Sequence, residues 1–316
     1  VVGGPDISVV IATRNRETRL AFALEALGKQ TLGADRFEVV IVRADDAAAG
    51  SLAGPPPELA VRSLTSPPGP AVQRNAGWRA ARAPWIAFTD DDCRPAPDWL
   101  ERMLDAATDP AVILQGRTEP DPDESHLCWG LARSWSIVEL NDWYATCNIV
   151  YSRALLDRLG GFDERFPAAW GEDTDLGFRA REIGAAVRYV DQALVWHAVL
   201  PRTLPQALRE SRRMGATATV IKRHPDHRRG LYGGAFVQAR HAYLPLALAA
   251  IALAPRRPVL AGALAAPYLK RTIPWRDPSL RKLARAALHL PARMTVDAAE
   301  MIALGRSAVR NRVLVL

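Results

Sequence analysis

An apolar run, Trp85-Ile86-Ala87-Phe88, breaks off at Thr89 into three consecutive carboxylates, Asp90, Asp91 and Asp92. Folding alone requires no such junction. Ile86, Ala87 and Phe88 read as a short buried strand, and open α/β sheets place their ligand crevice at the carboxyl ends of strands. Three adjacent acids repel one another unless a cation or a donor-rich ligand answers them. Oxygen ligands of this kind suit a hard divalent ion such as Mg²⁺ or Mn²⁺. The competing reading is a solvated acidic turn before the helix that Pro97-Asp98-Trp99-Leu100 starts.

The sequence around this junction alternates strands with helices. Ile7 to Ala12, Phe37 to Val42 and Val61 to Leu64 are strand-like, and Leu20, Leu24 and Leu27 recur at helical spacing. Ala47 to Pro57 is a small-residue loop, and Pro70 to Arg82 is a helix with proline in its first turn. A helix near 97–107 and a strand at Val112 to Leu114 follow, then a strand at Cys147 to Tyr151 and a helix at Ala154 to Leu159. After the Gly160-Gly161 turn come a helical pattern from Leu176 to Ile183 and a strand from Ala193 to Trp196, ending at His197. This order predicts an α/β fold, a mainly parallel sheet flanked by helices, over residues 1–200.

Beyond residue 200 the chain turns helical, Ala/Leu-rich and basic. Residues 199–316 hold 21 Lys and Arg against 5 Asp and Glu, a balance of +16, whereas the first 198 residues carry 20 against 29, a balance of −9. Such a reversal predicts two regions with different partners, the second (201–316) being a mostly α-helical C-terminal region. It lacks the regular aromatic interleaving of a single-strand binder, so nucleic acid is not an expected partner. Tyr243–Ala254 and Val259–Leu269 are apolar but too short for a bilayer core roughly 30 Å thick. They read either as a buried helical hairpin or as an anchor on an anionic membrane surface. Three scattered cysteines without a CxxC pair, and no visible signal peptide, favour a reducing, cytoplasmic setting, which the anchor reading of the apolar stretches would make peripheral on the inner face of the membrane.

Several motifs fall in order along the chain. Ile7-Ser8-Val9-Val10-Ile11-Ala12-Thr13-Arg14-Asn15-Arg16 runs from strand into polar loop, and Gln73-Arg74-Asn75-Ala76-Gly77 opens a helix before the acid-tipped strand. Asn148 and Gly160-Gly161-Phe162-Asp163-Glu164 precede Gly171-Glu172-Asp173-Thr174-Asp175-Leu176, and His197 closes the series. Over residues 7–200 this resembles glycosyltransferase family 2, whose GT-A fold transfers sugars from nucleotide-sugar donors.

The resemblance implies roles for particular residues. Thr13, Asn15 and Arg16 match the family's first loop, which contacts the nucleotide; by themselves they also read as a capped polar turn. Arg74 and Asn75 match a segment that faces the nucleotide, where Arg pairs with phosphate. Asp90, Asp91 and Asp92 match the DxD element, with Asp90 and Asp91 on the donor side and Asp92 holding the metal on the donor diphosphate. His197 matches a late histidine that completes metal or diphosphate binding. Trp170, Gly171 and Glu172 lie where the family keeps its acceptor loop, and Asp173 matches the general base. That chemistry needs a carboxylate to take the acceptor proton, while the metal, Mn²⁺ or Mg²⁺, meets the charge of the leaving diphosphate. The same acids also suit a helix first turn by favouring its dipole.

One departure stands out. The family usually has Asp directly after its second strand, against the nucleotide base, but here Arg43 and Ala44 follow Val42. Either a bulge lets Asp45 take that place or base recognition is altered. The expected activity is therefore an inverting, metal-dependent glycosyltransferase acting on a saccharide or lipid-linked acceptor. A catalytically silent GT-A-like binding protein and a nucleotidyltransferase are the alternatives. No GxGxxG follows a predicted strand, which disfavours a Rossmann dehydrogenase.

Overall fold

The computed structural model describes residues 4–46, 56–166, 168–273 and 280–316, so most of the loop expected over 47–57 lies outside the described residues. The chain divides into two compact units. One comprises residues 1–125 and 134–199, the other residues 126–133 and 200–316.

The first unit contains β1 (Ile7–Thr13), α1 (Glu17–Gly28), β2 (Phe37–Ala44), β3 (Val61–Ser66), α2 (Pro70–Ala80), β4 (Trp85–Asp90) and β5 (Cys93–Pro95). It continues with α3 (Trp99–Ala106), β6 (Val112–Pro120), β7 (Ile149–Ser152), α4 (Arg153–Leu159), α5 (Glu172–Glu182) and β8 (Ala186–His197). The strands form one sheet in the order β3-β2-β1-β4-β7-β6-β8-β5. β1 to β4 are mutually parallel, whereas β7 runs antiparallel to β4 and β6, and β5 runs antiparallel to β8. The sheet is thus mixed in the half that the sequence read least completely.

Strand alternation sorts the core into two layers. Val9, Ile11, Val39 and Ile41 pack with Leu20, Leu24 and Leu27 of α1 and Trp99, Leu100 and Met103 of α3. Val10, Val40, Val42 and Phe88 pack with Trp78 of α2, Leu155 and Leu156 of α4, and Leu176 and Phe178 of α5. With both faces covered, β1 and β2 are apolar almost throughout, which is why they were easy to read. β8 is twelve residues long because it starts at Ala186; its first half is largely exposed, and Arg188, Asp191 and Gln192 hide it from an apolar-run reading. α5 begins at Glu172, four residues before its apolar pattern, with Gly171 in the left-handed region (φ 94°) as its N-cap.

Asn148 ties the mixed half together. Its amide donates to the carbonyls of Arg117 and Ala193, and its Oδ1 accepts from Trp99 Nε1. The parallel register between β6 and β8 shifts at Gly116/Arg117, beside this amide. A Cβ at Gly116 would lie 2.4 Å from Asn148 Oδ1, so close approach requires glycine there.

The second unit is helical. It contains α6 (Leu204–Ser211), α7 (Ala216–Arg223), α8 (Leu244–Leu253), α9 (Pro258–Thr272) and α10 (Leu280–Asn311). α6 starts with a full capping box between Thr203 and Gln206. Leu131 packs with Ala207 and Val296, and Tyr268 with Leu244 and Ala247. The acids of α10 sit on buried partners: Asp297 accepts from Arg240 and from the Tyr268 hydroxyl, and Glu300 faces His241 Nε2 at 3.0 Å. Among the described residues, no helix is long and apolar enough to cross a membrane.

Candidate functional site

β1 lies between β2 and β4, and polar side chains gather at the carboxyl ends of these strands. Register explains how distant residues meet there. β5 pairs with β8 so that Cys93 lies opposite His197, and Ala198 N–H donates to the Asp92 carbonyl at 2.9 Å. His197 is thereby set beside Asp92, 105 positions earlier in sequence, with its Nε2 3.6 Å from Asp92 Oδ1.

The imidazole orientation is informative. Nδ1 lies 2.9 Å from the Ala198 carbonyl oxygen, which can only accept, so Nδ1 carries hydrogen there. In the neutral ring, Nε2 then turns a lone pair towards a carboxylate oxygen. A positive charge, either a cation between them or a proton on Nε2, answers two buried lone pairs in this position. Two atoms each about 2.1 Å from one ion can lie up to roughly 4.2 Å apart, so the observed spacing fits shared ligation. Asp90, Asp92, Cys93 and His197 each offer an atom to a cluster whose members lie within 4.8 Å of one another. Burial raises the Cys93 thiol well above its ordinary range, leaving it neutral and a poor ligand for a hard cation. Asp90, Asp92 and His197 therefore make the ligand set that suits a divalent metal.

The remaining acid of the triad has a different position. Asp91 is buried, its Oδ2 accepts from Thr13 Oγ1 at 2.7 Å, and its Oδ1 accepts from Arg16 Nη1 at 3.0 Å. Burial pushes its carboxyl up to about 6, with Arg16 opposing the rise. Asp91 and Thr13, expected on the donor side, are occupied with each other. Arg16 also holds Asp92 Oδ2 at 2.8 Å, while its side chain remains 41% exposed. Asp92 thus has one oxygen fixed by Arg16 and the other turned to His197. Asn15 is exposed in the left-handed region (φ 57°), a conformation asparagine tolerates.

Helix α2 depends on three consecutive side chains that leave it in different directions. Gln73 Nε2 donates to the carbonyls of Thr13 and Val42, closing the ends of β1 and β2. Arg74 lies between Glu172 Oε1 at 2.8 Å and Asp90 Oδ1 at 3.0 Å. Burial opposes the charge on Arg74, but Asp90 and Glu172 outweigh it and hold the guanidinium more firmly protonated than usual. Asn75 donates to the Phe162 carbonyl and to Glu164, and its Oδ1 accepts from Phe162 N–H and Trp78 Nε1. Arg74 and Asn75 were expected to face a nucleotide. Both are instead buried and committed to protein partners, Arg74 between β4 and the start of α5 and Asn75 at the chain around Phe162.

Asp173 sits in the first turn of α5, half-buried, next to Glu172. Its Oδ1 accepts from Thr174 N–H at 2.8 Å, and its Oδ2 accepts no hydrogen bond from the described residues. Burial raises its carboxyl, Glu172 raises it further, and Arg74 pulls the other way. Glu172 is buried, accepting from Arg74 and from Trp170 N–H at 2.7 Å, so it positions its surroundings. Trp170 is half-buried and Gly171 provides the positive φ that turns the chain into α5.

At the end of β2, Arg43 pairs with Glu17 at the start of α1. Asp45 is exposed, with its N–H bonded to the Ser66 carbonyl, and Asp46 pairs with Arg14 at 2.6 Å. Sequence reading missed Gln73 and Cys93 as site neighbours. Gln73 could have been found from its place in the Gln-Arg-Asn run; Cys93 lies on a three-residue strand that leaves no periodic signal.

With this geometry in hand, the family profile described as Glycosyl transferase family 2 matches residues 8–162. The chain belongs to glycosyltransferase family 2. A pre-mycofactocin glycosyltransferase of Mycobacterium tuberculosis is 30% identical over 238 residues, covering 70% of this chain and 48% of that protein. A validoxylamine A glucosyltransferase of Streptomyces hygroscopicus subsp. limoneus is 25% identical over 264 residues, covering 70% and 57%. The chain spans about half the length of the curated relatives it matches. A mannosyltransferase from Pyrobaculum calidifontis, solved with GDP-Man and Mn²⁺, aligns at a TM-score of 0.59 and 23% identity over 98% of this chain and 88% of that one. S. aureus TarS 1-349 with UDP-GlcNAc aligns at 0.53 and 16% identity, over 98% and 92%. These likenesses are of fold, and the fold is GT-A.

The Asp90–Arg74–Glu172 linkage generates a stability prediction. The Arg74 side chain is 6% exposed and that of Glu172 2%. Arg74→Gln should lower the unfolding free energy by about 3–5 kcal/mol, because a buried carboxylate loses its countercharge. Adding Glu172→Gln should recover part of that loss. Urea denaturation of the two single variants and the double variant measures the coupling; a loss for Arg74→Gln near 1 kcal/mol, the scale of an exposed pair, would remove it from this role.

Proposed function

We propose that this protein is an inverting, divalent-metal-dependent glycosyltransferase with Asp173 as general base. The observation that carries the reading is a run of contacts joining two groups. One is the Asp92–His197 pair, with Oδ1 and Nε2 3.6 Å apart; the other is a half-buried Asp173, joined to it through Asp90, Arg74 and Glu172. Fold neighbours solved with GDP-Man and Mn²⁺ or with UDP-GlcNAc support a nucleotide-sugar donor. Asp90, Asp92 and His197 would hold the ion, which would supply Lewis-acid stabilisation of the departing diphosphate. Arg16 fixes the ligand orientation through Asp92, and its exposed edge is available to phosphate. Asn15 and Asp45 are exposed at the mouth and would meet the nucleoside.

Asp173 takes the acceptor hydroxyl proton as that oxygen attacks the anomeric carbon, with Oδ2 the oxygen left open for it. A carboxyl raised by burial is a stronger base once ionised. Because the base must be unprotonated, turnover should rise with pH, and the acidic limb of kcat should lie above the ordinary carboxylate range. Asp173→Asn should lower transfer on the order of 10²–10⁴-fold and abolish that limb while donor affinity stays near native. Native-rate transfer by the variant would reject the assignment. A silent binding protein would show no turnover in this assay, and a nucleotidyltransferase would release pyrophosphate instead of a nucleoside diphosphate.

The metal role is tested separately by a thermal-shift screen of nucleoside diphosphates and nucleotide sugars, with and without Mn²⁺. Ligands that bind the folded state raise its apparent stability by mass action. The shift should require the ion in the native chain and vanish in Asp92→Ala and His197→Ala. A nucleotide shift that survives chelation undisturbed would exclude metal-linked donor binding.

The helical unit supports a second part of the proposal, peripheral docking on an anionic membrane consistent with a lipid-linked acceptor. α8 and α9 form a hairpin whose turn carries Arg256 and Arg257, both exposed. Leu248 is 50% exposed, Ile251 62% and Val259 87%, an apolar surface around a basic tip. At 1.5 Å per residue the two helices are roughly 15 and 22 Å long, enough to enter an interface and too short to span it. Each basic residue near an anionic surface adds about 1 kcal/mol, screened within a Debye length. The full chain should sediment with phosphatidylglycerol vesicles at low salt, less at high salt, and weakly with phosphatidylcholine alone. Ile251→Asp combined with Val259→Asp should abolish sedimentation. Protein left in the supernatant throughout, or concentration-dependent dimers lost in the same variants, would reject a membrane in favour of a soluble or self-associating surface.

A further inference from the structure

Three tryptophans gather beside Asp173. The Trp170 ring centroid lies 6.2 Å from that of Trp135 and 6.1 Å from that of Trp143, at interplanar angles of 33° and 62°. All three are half-buried, whereas Trp99 and Trp78 of the same unit are buried in the two apolar cores. None of the three belongs to either core among the described residues. Their backbones are nonetheless fixed. Trp170 N–H donates to Glu172 Oε2 at 2.7 Å, and the Trp143 carbonyl accepts from Thr174 Oγ1 at 2.9 Å. The Ile137 and Thr118 backbones bond to each other at 2.8 and 2.9 Å, which anchors the segment that brings in Trp135.

Large aromatic surface left part-exposed on a rigid frame is costly unless a ligand covers it. We propose that Trp135, Trp143 and Trp170 form a stacking platform for a pyranose ring of the acceptor. This rests on Asp173 acting on an acceptor hydroxyl. A pyranose presents an apolar C–H face to an indole plane and hydroxyls at its edge, the arrangement that a carboxylate oxygen beside the platform would read. Asp173 Oδ1 is bound by Thr174 N–H, next to the hydroxyl that clamps Trp143, so the platform and the open Oδ2 belong to one backbone frame. A nucleobase also stacks on indole. Among the described residues, however, the Asp92–His197 pair connects to Glu172 across Asp90 and Arg74, so a diphosphate held by that pair would lie on the other side of the linkage.

Saturation-transfer difference NMR on the full chain tests this, with methyl β-D-glucopyranoside, methyl β-D-galactopyranoside and methyl α-D-mannopyranoside as probes, with and without UDP and Mn²⁺. The native protein should transfer saturation to ring C–H protons of at least one glycoside, and UDP should not displace it. Trp143→Leu and Trp135→Leu should weaken binding by roughly 2- to 10-fold each, and Trp143→Phe should retain it, with melting curves confirming that the variants fold. Absence of signal for every glycoside, leucine variants that bind as the native chain does, or displacement by UDP would overturn the platform. Loss of UDP–Mn²⁺ binding in the native chain would instead count against the glycosyltransferase reading, and the glycoside arms without UDP would still decide the platform.

Discussion

The buried guanidinium of Arg74 is the constraint on which the site depends. Asp90 ends a central strand, Glu172 begins a helix 82 residues later, and one guanidinium bonds both carboxylates. Removing both ion-pair partners from water is expensive, and it is tolerable only because the fork geometry satisfies both at 2.8 and 3.0 Å. The benefit is placement. Glu172 is fixed, so the first turn of α5 is fixed, and with it the open oxygen of Asp173 and the backbone of Trp170.

A second, smaller device controls the other half. β5 has only three residues, yet its antiparallel pairing with β8 sets His197 opposite Cys93 and so beside Asp92. A one-residue slip would turn the imidazole to the opposite face. The Ala198 carbonyl then chooses the tautomer, leaving Nε2 for whatever lies between it and the carboxylate. Two polar clusters, one around Asp92 and His197 and one of two carboxylates sharing a guanidinium, are thus held by backbone register and by a single arginine.

Much of this is legible in the sequence. β1, β2 and β4 are apolar on both faces, and α1 keeps its leucine spacing, so their residues announce them. Asp92 and His197 stand at strand ends and Asp173 in the first turn of α5, the places where the sequence pattern put them. The sequence was less informative where side chains serve other side chains. Arg74 and Asn75 look like ligand-binding groups in a polar helix start, but packing of α2 buries them against Glu172 and Phe162. β8 was read at half its length because exposed polar residues obscure its first half, and β5 is too short to show any period. The tryptophans 135 and 143 carried no signal at all, since their meaning lies in a neighbour that is distant in sequence.

The excursion of residues 126–133 has a consequence for how the chain can be cut. This octet leaves the sheet unit, contributes Leu131 to a cluster with Ala207 and Val296, and receives a hydrogen bond from Arg293 at Gly130 before the chain returns. The polypeptide therefore crosses the boundary three times, and the octet works as a covalent staple. A nick at residue 200 would sever one crossing while leaving this segment, still continuous with the sheet unit at both ends, packed among the helices. Deleting everything after that residue would strip Leu131 and Gly130 of their partners, so a truncated sheet unit would carry a wound of its own making. Separating the two units cleanly calls for replacing the octet as well as cutting the chain.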